Sequence, residues 1–223
     1  MSGDCCTPRG YRWIFSERMA RNDAKRYRRS GLDRTSQRIV DFVKQQGVEG
    51  RTVLEVGGGI GVVQIELLKA GASTAVSIEL TPTYEDVARE LLAETGLGDR
   101  VERKVMDFVE ADGQVARADI VIMNRVLCCY HDMPRLAGAA ADHTRQLLVM
   151  SFPRRTAWIQ AAMALANFMF WITRRGFHIF VHRPEDIVAT SKQHGLAPVL
   201  DQRGLLWTVA AVRRTAGTTT LAQ

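Results

Sequence analysis

Cysteine is scarce in this chain and unusually placed. Its four thiols form two adjacent pairs, Cys5-Cys6 and Cys128-Cys129. Adjacent pairs do not make the spaced framework of a secreted disulfide protein, so reduced thiols are expected. They also lack the C-x-x-C spacing of structural zinc sites, and no resident metal is expected. No apolar core follows Met1-Ser2-Gly3-Asp4, which argues against a signal peptide. No run is long and clean enough to span a bilayer. A cytoplasmic location is the expectation.

Acids are sparse near the N-terminus. Between Arg9 and Arg38 ten basic residues face only Glu17, Asp23 and Asp33, whereas the whole chain nets +6. The positive charge thus belongs to an arm, which could meet nucleic acid, an anionic surface or an acidic substrate, or be a solvated helix face. At 223 residues the chain suits one α/β domain with added elements.

Two nucleotide motifs are missing as well. The centre of the chain is Val53-Leu54-Glu55-Val56-Gly57-Gly58-Gly59-Ile60-Gly61. A dinucleotide fingerprint, G-x-G-x-x-G/A, fails at Val62 or at Gln64, and no Gly-Lys-Ser/Thr of a P-loop follows. An apolar run that breaks into glycines and then a helical pattern predicts strand, tight turn and helix. Glycines allow the sharp reversal and bare-backbone contact, and the helix N-terminus offers free N–H groups to a ligand.

The remaining chain alternates. Helices are predicted over 11–29 and 32–46, then strands at 53–56, 75–80, 101–105, 119–124 and 147–152. Helices separate them, with Thr81 as a cap and Pro82 in a first turn. Residues 197–200 and 205–212 flank Asp201-Gln202-Arg203-Gly204, which predicts an antiparallel pair. The pattern implies a Rossmann-like, doubly wound α/β sheet of seven strands with an antiparallel last strand. N-terminal helices and an apolar helical insert are added to it.

The spacing Glu55-x-Gly57-x-Gly59-x-Gly61 resembles motif I of class I S-adenosylmethionine-dependent methyltransferases. Acids fall at the strand ends that such a cofactor requires. Glu79 ends strand two, where a carboxylate can accept from ribose hydroxyls, with Leu80 beside it. Asp107 follows strand three and can accept from an adenine amine, with Phe108 against the ring. Glu55 either faces the cofactor's ammonium or organises the loop. Gly58 completes the glycine turn, and Asn124 ends strand four near the expected methyl. The resemblance covers about residues 32–152 and implies S-adenosylmethionine as cofactor and methyl transfer as reaction.

Candidate bases are Tyr130, His131 and, from the arm, Tyr27; His182 could face the same rim. Tyr130, with Ser151-Phe152-Pro153-Arg154-Arg155-Thr156 after strand five, distantly resembles magnesium-protoporphyrin O-methyltransferases. Cys129 stands where those tend to show His. The expected acceptor is a small organic molecule, apolar or anionic. The alternatives are a soft metal or metalloid held by the cysteine pairs, and a non-catalytic cofactor-binding assembly protein. Nucleic acid is not expected as acceptor: the Asn/Asp-Pro-Pro-aromatic motif of amino-methylating DNA enzymes is absent.

Residues 157–172 are apolar nearly all round and flanked by Arg154-Arg155 and Arg174-Arg175. They read as a lid over an apolar substrate, a homodimer contact or a membrane-surface helix. The expected organisation is a basic arm or cap over 1–31, a methyltransferase domain over 32–214 with its insert at 153–183, and a tail over 215–223.

Overall fold

The structure is a computed structural model that describes residues 10, 11, 14–111 and 113–215. Cys5 and Cys6, and all of the expected tail beyond residue 215, lie outside the described residues.

Seven strands form one sheet in the order β3-β2-β1-β4-β5-β7-β6. They are β1 (Thr52–Val56), β2 (Thr74–Glu79), β3 (Val101–Val105), β4 (Ala118–Asn124), β5 (Thr144–Pro153), β6 (Leu196–Arg203) and β7 (Trp207–Arg214). β1 to β5 pair in parallel, and β7 lies antiparallel between β5 and β6. The doubly wound sheet with a reversed last strand is therefore as expected. Asp201, Gln202 and Arg203, read as a turn, belong to β6, and the reversal comes at Gly204 to Leu206.

The helices are α1 (Glu17–Ser30), α2 (Arg34–Gln45), α3 (Val62–Lys69), α4 (Glu85–Thr95), α5 (Met133–Asp142), α6 (Ala157–Ile172) and α7 (Pro184–Gln193). Gly10, Tyr11 and Ile14 are helical, so the predicted helix over 11–29 does start there, but it is interrupted at Phe15-Ser16, and α1 resumes at Glu17 with Ser16 as its cap, accepting from the Met19 N–H. Thr81 does not cap α4: its hydroxyl accepts from Thr83, and Pro82–Tyr84 form a short 3-10 turn first.

Alternation along each strand loads both faces of the sheet. Val53, Ile120, Ile122, Leu147 and Val149 join Ile39, Val43, Leu67 and Leu91 of α2, α3 and α4. Leu54, Val121, Met123, Leu148 and Met150 join Leu136, Ala140 and Ile187 of α5 and α7. Sheets covered on both faces have near-continuous apolar strands, as these are. A polar residue in such a strand must find a partner, and three of them do so in a single row.

Candidate active site

That row runs across the sheet. Glu55 of β1 is opposite Ser77 of β2, and Ser77 is opposite Arg103 of β3. In-register neighbours share a face, and this one is covered by α3 and α4. Arg103 is nearly buried. It donates to Ser77 Oγ at 3.1 Å, to the Gly59 carbonyl at 3.0 Å and to Glu85 at 2.8 Å. A buried fork with three acceptors offsets its desolvation by charge-assisted hydrogen bonds.

Strand parity also decides Glu55. Its carboxylate accepts from the backbone N–H of Gln64 at 3.3 Å, inside the first turn of α3. It lies beneath Gly58 and is not among the residues that line the cavity. These contacts are the ones that the loop-organising reading of Glu55 requires. Burial pushes its carboxyl up to about 7, with the Gln64 N–H and Arg103 pulling the other way.

The loop itself is tightly held. Gly57, Gly59 and Gly61 have φ of +65°, +62° and +78°. A Cβ at Gly57 would meet Val126 at 2.7 Å, and one at Gly58 would meet the Glu55 carboxyl carbon at 2.4 Å. Gly61 opens α3 in the left-handed region and does not line the cavity.

Beyond the strand tips lies a cavity of about 360 Å³. Gly57, Gly58, Gly59, Glu79, Leu80, Asp107, Phe108, Asn124, Tyr130 and Tyr27 all line it. The parallel strands, the loops that follow them and α1 thus bring these ten residues singled out in the sequence to one cavity. Glu79 is only 7% exposed and accepts from the Gly59 N–H. Burial pushes its carboxyl up to about 8, against the pull of Arg103. Asp107 caps a short turn by accepting from the Val109 N–H at 3.0 Å. Asn124 accepts from the Ser151 hydroxyl at 2.7 Å and donates to Ser36 at 3.0 Å.

The three expected bases separate in space. Tyr130 donates to Asp107 at 3.4 Å, and burial followed by the Asp107 charge pushes its hydroxyl up to about 12. Tyr27 lines the cavity, but its hydroxyl donates to Glu66 and accepts from Lys69, neither of which lines it. Burial and the Glu66 bond raise that hydroxyl further. His131 is exposed, stacked on Tyr130 at 5.3 Å and absent from the cavity wall. His182 sits 3.3 Å from the Tyr130 carbonyl, also off the wall.

Several wall residues carried no sequence signal. Tyr11, Phe15 and Met19 come from the arm, and Tyr84 from the turn after β2. Asp33 caps α2 and pairs with Arg125, which follows β4 with φ of +64° and lies over the Trp207 ring at 5.1 Å. Burial raises Asp33, but Arg125 and the Ser36 and Thr35 hydrogen bonds outweigh it and hold the carboxyl low. Arg103 could have been suspected from parity alone, since it shares a strand face with Val101, which packs on the core.

Cys129 lines the cavity, and its sulfur lies 3.6 Å from that of Cys128. Among the described residues no cluster of three or more His, Cys, Asp or Glu is arranged to hold a metal. No residue of α6 lines the cavity.

A family model described as "Methyltransferase domain" matches residues 24–201. Ribosomal protein L11 methyltransferase of Enterobacter sp. (strain 638) is 27% identical over 95 residues, 43% of this chain and 31% of that protein. The chain thus spans about a third of the length of the curated relatives it matches. Magnesium protoporphyrin IX methyltransferase from Synechocystis PCC 6803, solved with bound SAH, superposes with a TM-score of 0.66 at 19% identity, covering 92% of this chain and 100% of that one. An O-methyltransferase family protein from Burkholderia thailandensis gives a TM-score of 0.65 at 24% identity, covering 84% and 58%. At these identities the likeness concerns the fold. The family match takes in the glycine loop, every strand tip on the cavity and the β6 edge, so the chain belongs to the methyltransferase-domain family.

Proposed function

We propose that this chain methylates a small organic acceptor with an apolar body and an anionic group, within the cavity at the strand tips. The observation that carries the reading is Glu79, a buried carboxyl at the β2 tip that lines the same cavity as Asp107. The Gly59 N–H takes up part of its acceptor capacity, and a ribose diol in the cavity is a fitting partner for the rest.

The residues fit the donor. Gly57 and Gly58 present bare backbone where a Cβ would collide with Val126 and Glu55, and Gly59 holds a positive φ that side chains rarely adopt. Glu79 accepts from the ribose hydroxyls, Asp107 from the adenine amine, and Phe108 and Leu80 flank the ring. Glu55 and Gly61 hold the loop and the start of α3, and Asn124 ties the tip of β4 in place. Bound S-adenosylmethionine supplies a methyl already activated by its sulfonium.

The chain's own task is then to orient the acceptor and exclude water. Tyr11, Phe15, Met19 and Tyr84 form the apolar wall, and the basic arm up to residue 31 serves as cap to the domain over 32–214. Arg26 and Arg125 lie on the same wall, each paired with a lining carboxylate, Asp23 and Asp33, and an anionic acceptor would share these pairs. Tyr130 stays protonated, the Tyr27 hydroxyl is engaged elsewhere, and His131 lies outside. An acceptor whose nucleophile is already ionised, such as a carboxylate, needs no base.

Titration calorimetry with S-adenosylhomocysteine tests the donor site, and labelled donor with aromatic carboxylic acids tests the acceptor. Saturable binding and labelled methyl ester are expected. A chain that binds neither donor nor product overturns the reading. Labelling of neutral phenols in preference to carboxylates overturns the acceptor class.

A further inference from the structure

The segment over 157–172 has a fastened face and a bare one. Ile159, Met163, Ala166, Asn167 and Phe170 recur at helical spacing and are buried or half-buried. Asn167 exchanges two hydrogen bonds of 2.8 Å with the Ile179 backbone. The Phe170 ring meets Phe177 edge-on at 5.7 Å, and Phe177 meets Tyr11 and Phe15 of the cavity wall. This inward face anchors α6 beside the cavity.

The outward face is apolar and uncovered. Trp158, Leu165, Phe168, Met169, Trp171 and Ile172 are each more than half exposed, Trp171 to 75%. The Arg154 N–H donates to the Leu206 carbonyl at 2.9 Å, which sets Leu205 and Leu206 beside the start of α6. Leu205 is 78% exposed. Isolated apolar side chains are ordinary on a surface, but a contiguous patch of this kind marks an interaction site.

Charge and area decide the occupant. Residues 154–184 contain five arginines and no Asp or Glu. Arg155 and Arg174, just outside the two ends of the helix, are exposed. A second copy would bring the same cations against them. One face of a 16-residue helix is about 24 Å long and roughly 10 Å wide. That is well short of the ~800 Å² per partner of a standard interface. Among the described residues no helix is long and apolar enough to cross a membrane. A helix of this length with an apolar face and arginines at its edges matches one lying in a bilayer surface, its cations at the headgroups.

We propose that α6, with Leu205 and Leu206, docks this protein on an anionic phospholipid bilayer. The helix lies in the interface plane, and the aromatic cluster around Phe177 places the cavity next to the acyl boundary.

Flotation of the full chain with vesicles tests this. Phosphatidylcholine vesicles are compared with vesicles holding a third phosphatidylglycerol. Binding to the anionic vesicles is expected, with release in high salt. The variant Phe168→Ser/Trp171→Ser, changed only at exposed positions, should bind at least tenfold more weakly with its thermal unfolding unchanged. Arg155→Gln/Arg174→Gln should also lose about tenfold or more. Absence from both vesicle types, or equal binding to neutral and anionic vesicles, overturns the proposal. So does a dimer in sedimentation that Phe168→Ser/Trp171→Ser converts to monomer.

Discussion

The Arg103 guanidinium on β3 donates to the carbonyl oxygen of Gly59 across 3.0 Å, so an edge-side strand fastens the loop that follows β1. The same Gly59 gives its N–H to Glu79. Both backbone groups of one loop residue are therefore held by side chains from β2 and β3. The sheet thus helps to hold the glycine loop in shape.

Removing Arg103 should be costly. Its partner Glu85 is buried, and an uncompensated buried charge costs about 3–5 kcal/mol. Arg103→Met is expected to lose about that much in urea unfolding and to weaken S-adenosylhomocysteine binding. Arg103→Lys keeps the charge but not the fork, and should lose less stability than Met. Equal stability of Met and wild type would show that the buried pair contributes nothing.

Glu79 makes stability and donor binding respond to pH in opposite senses. Its folded pKa, about 8, lies above the unfolded value near ~4.3. Its contribution to stability is present in full below the unfolded value and is lost as pH rises through about 8. The Tm advantage of Glu79→Gln over wild type should grow between pH 5 and 8 and level off above. Donor hydroxyls need the carboxylate as acceptor, so affinity of the wild type should rise up to tenfold per pH unit towards 8. Calorimetry across that range should find Glu79→Gln weaker and flat; a flat wild-type profile would remove the diol role.

Gly58 tests contact with Glu55. A Cβ there would stand 2.4 Å from the Glu55 carboxyl carbon, and overpacking of this kind costs about 1–3 kcal/mol. Gly58→Ala should therefore destabilise the chain and loosen donor binding. In Gly58→Ala/Glu55→Ala the obstacle is gone, and the double variant should be more stable than the sum of the singles by about 0.5–3 kcal/mol. Strict additivity in denaturant unfolding would place the two residues out of contact.

Tyr130 should prove a positioning group. Burial and Asp107 hold its hydroxyl near about 12, so it remains protonated over the working range. Tyr130→Phe is expected to lower kcat/KM by less than about tenfold and to leave the pH profile in place. A loss of about 10² or more, with one limb of the profile gone, would make it the base.

Much of this protein is readable along the chain. Strand and helix order follows from apolar periodicity, and the ranges 101–105 and 157–172 agree with the observed elements to the residue. The glycine loop and the acids at Glu79 and Asp107 are legible because parallel strands deliver their C-terminal ends to one edge. The break at Phe15-Ser16 is not legible there, since Ser16 competes with the pattern through a single cap.

What the sequence determined by itself is the set of local facts: which segments are strands, where the chain must turn on glycine, and which strand tips carry acids. These depend on neighbours within a few residues. Only tertiary structure decided that Glu55 points at α3 and not into the cavity, that Arg103 reaches Gly59, that the Tyr27 hydroxyl is engaged by Glu66, and that His131 stays outside. The same holds for α6, whose apolar composition was plain but whose bare face was not. Side-chain direction and burial are settled by what packs from distant parts of the chain, and no window of sequence contains that cover.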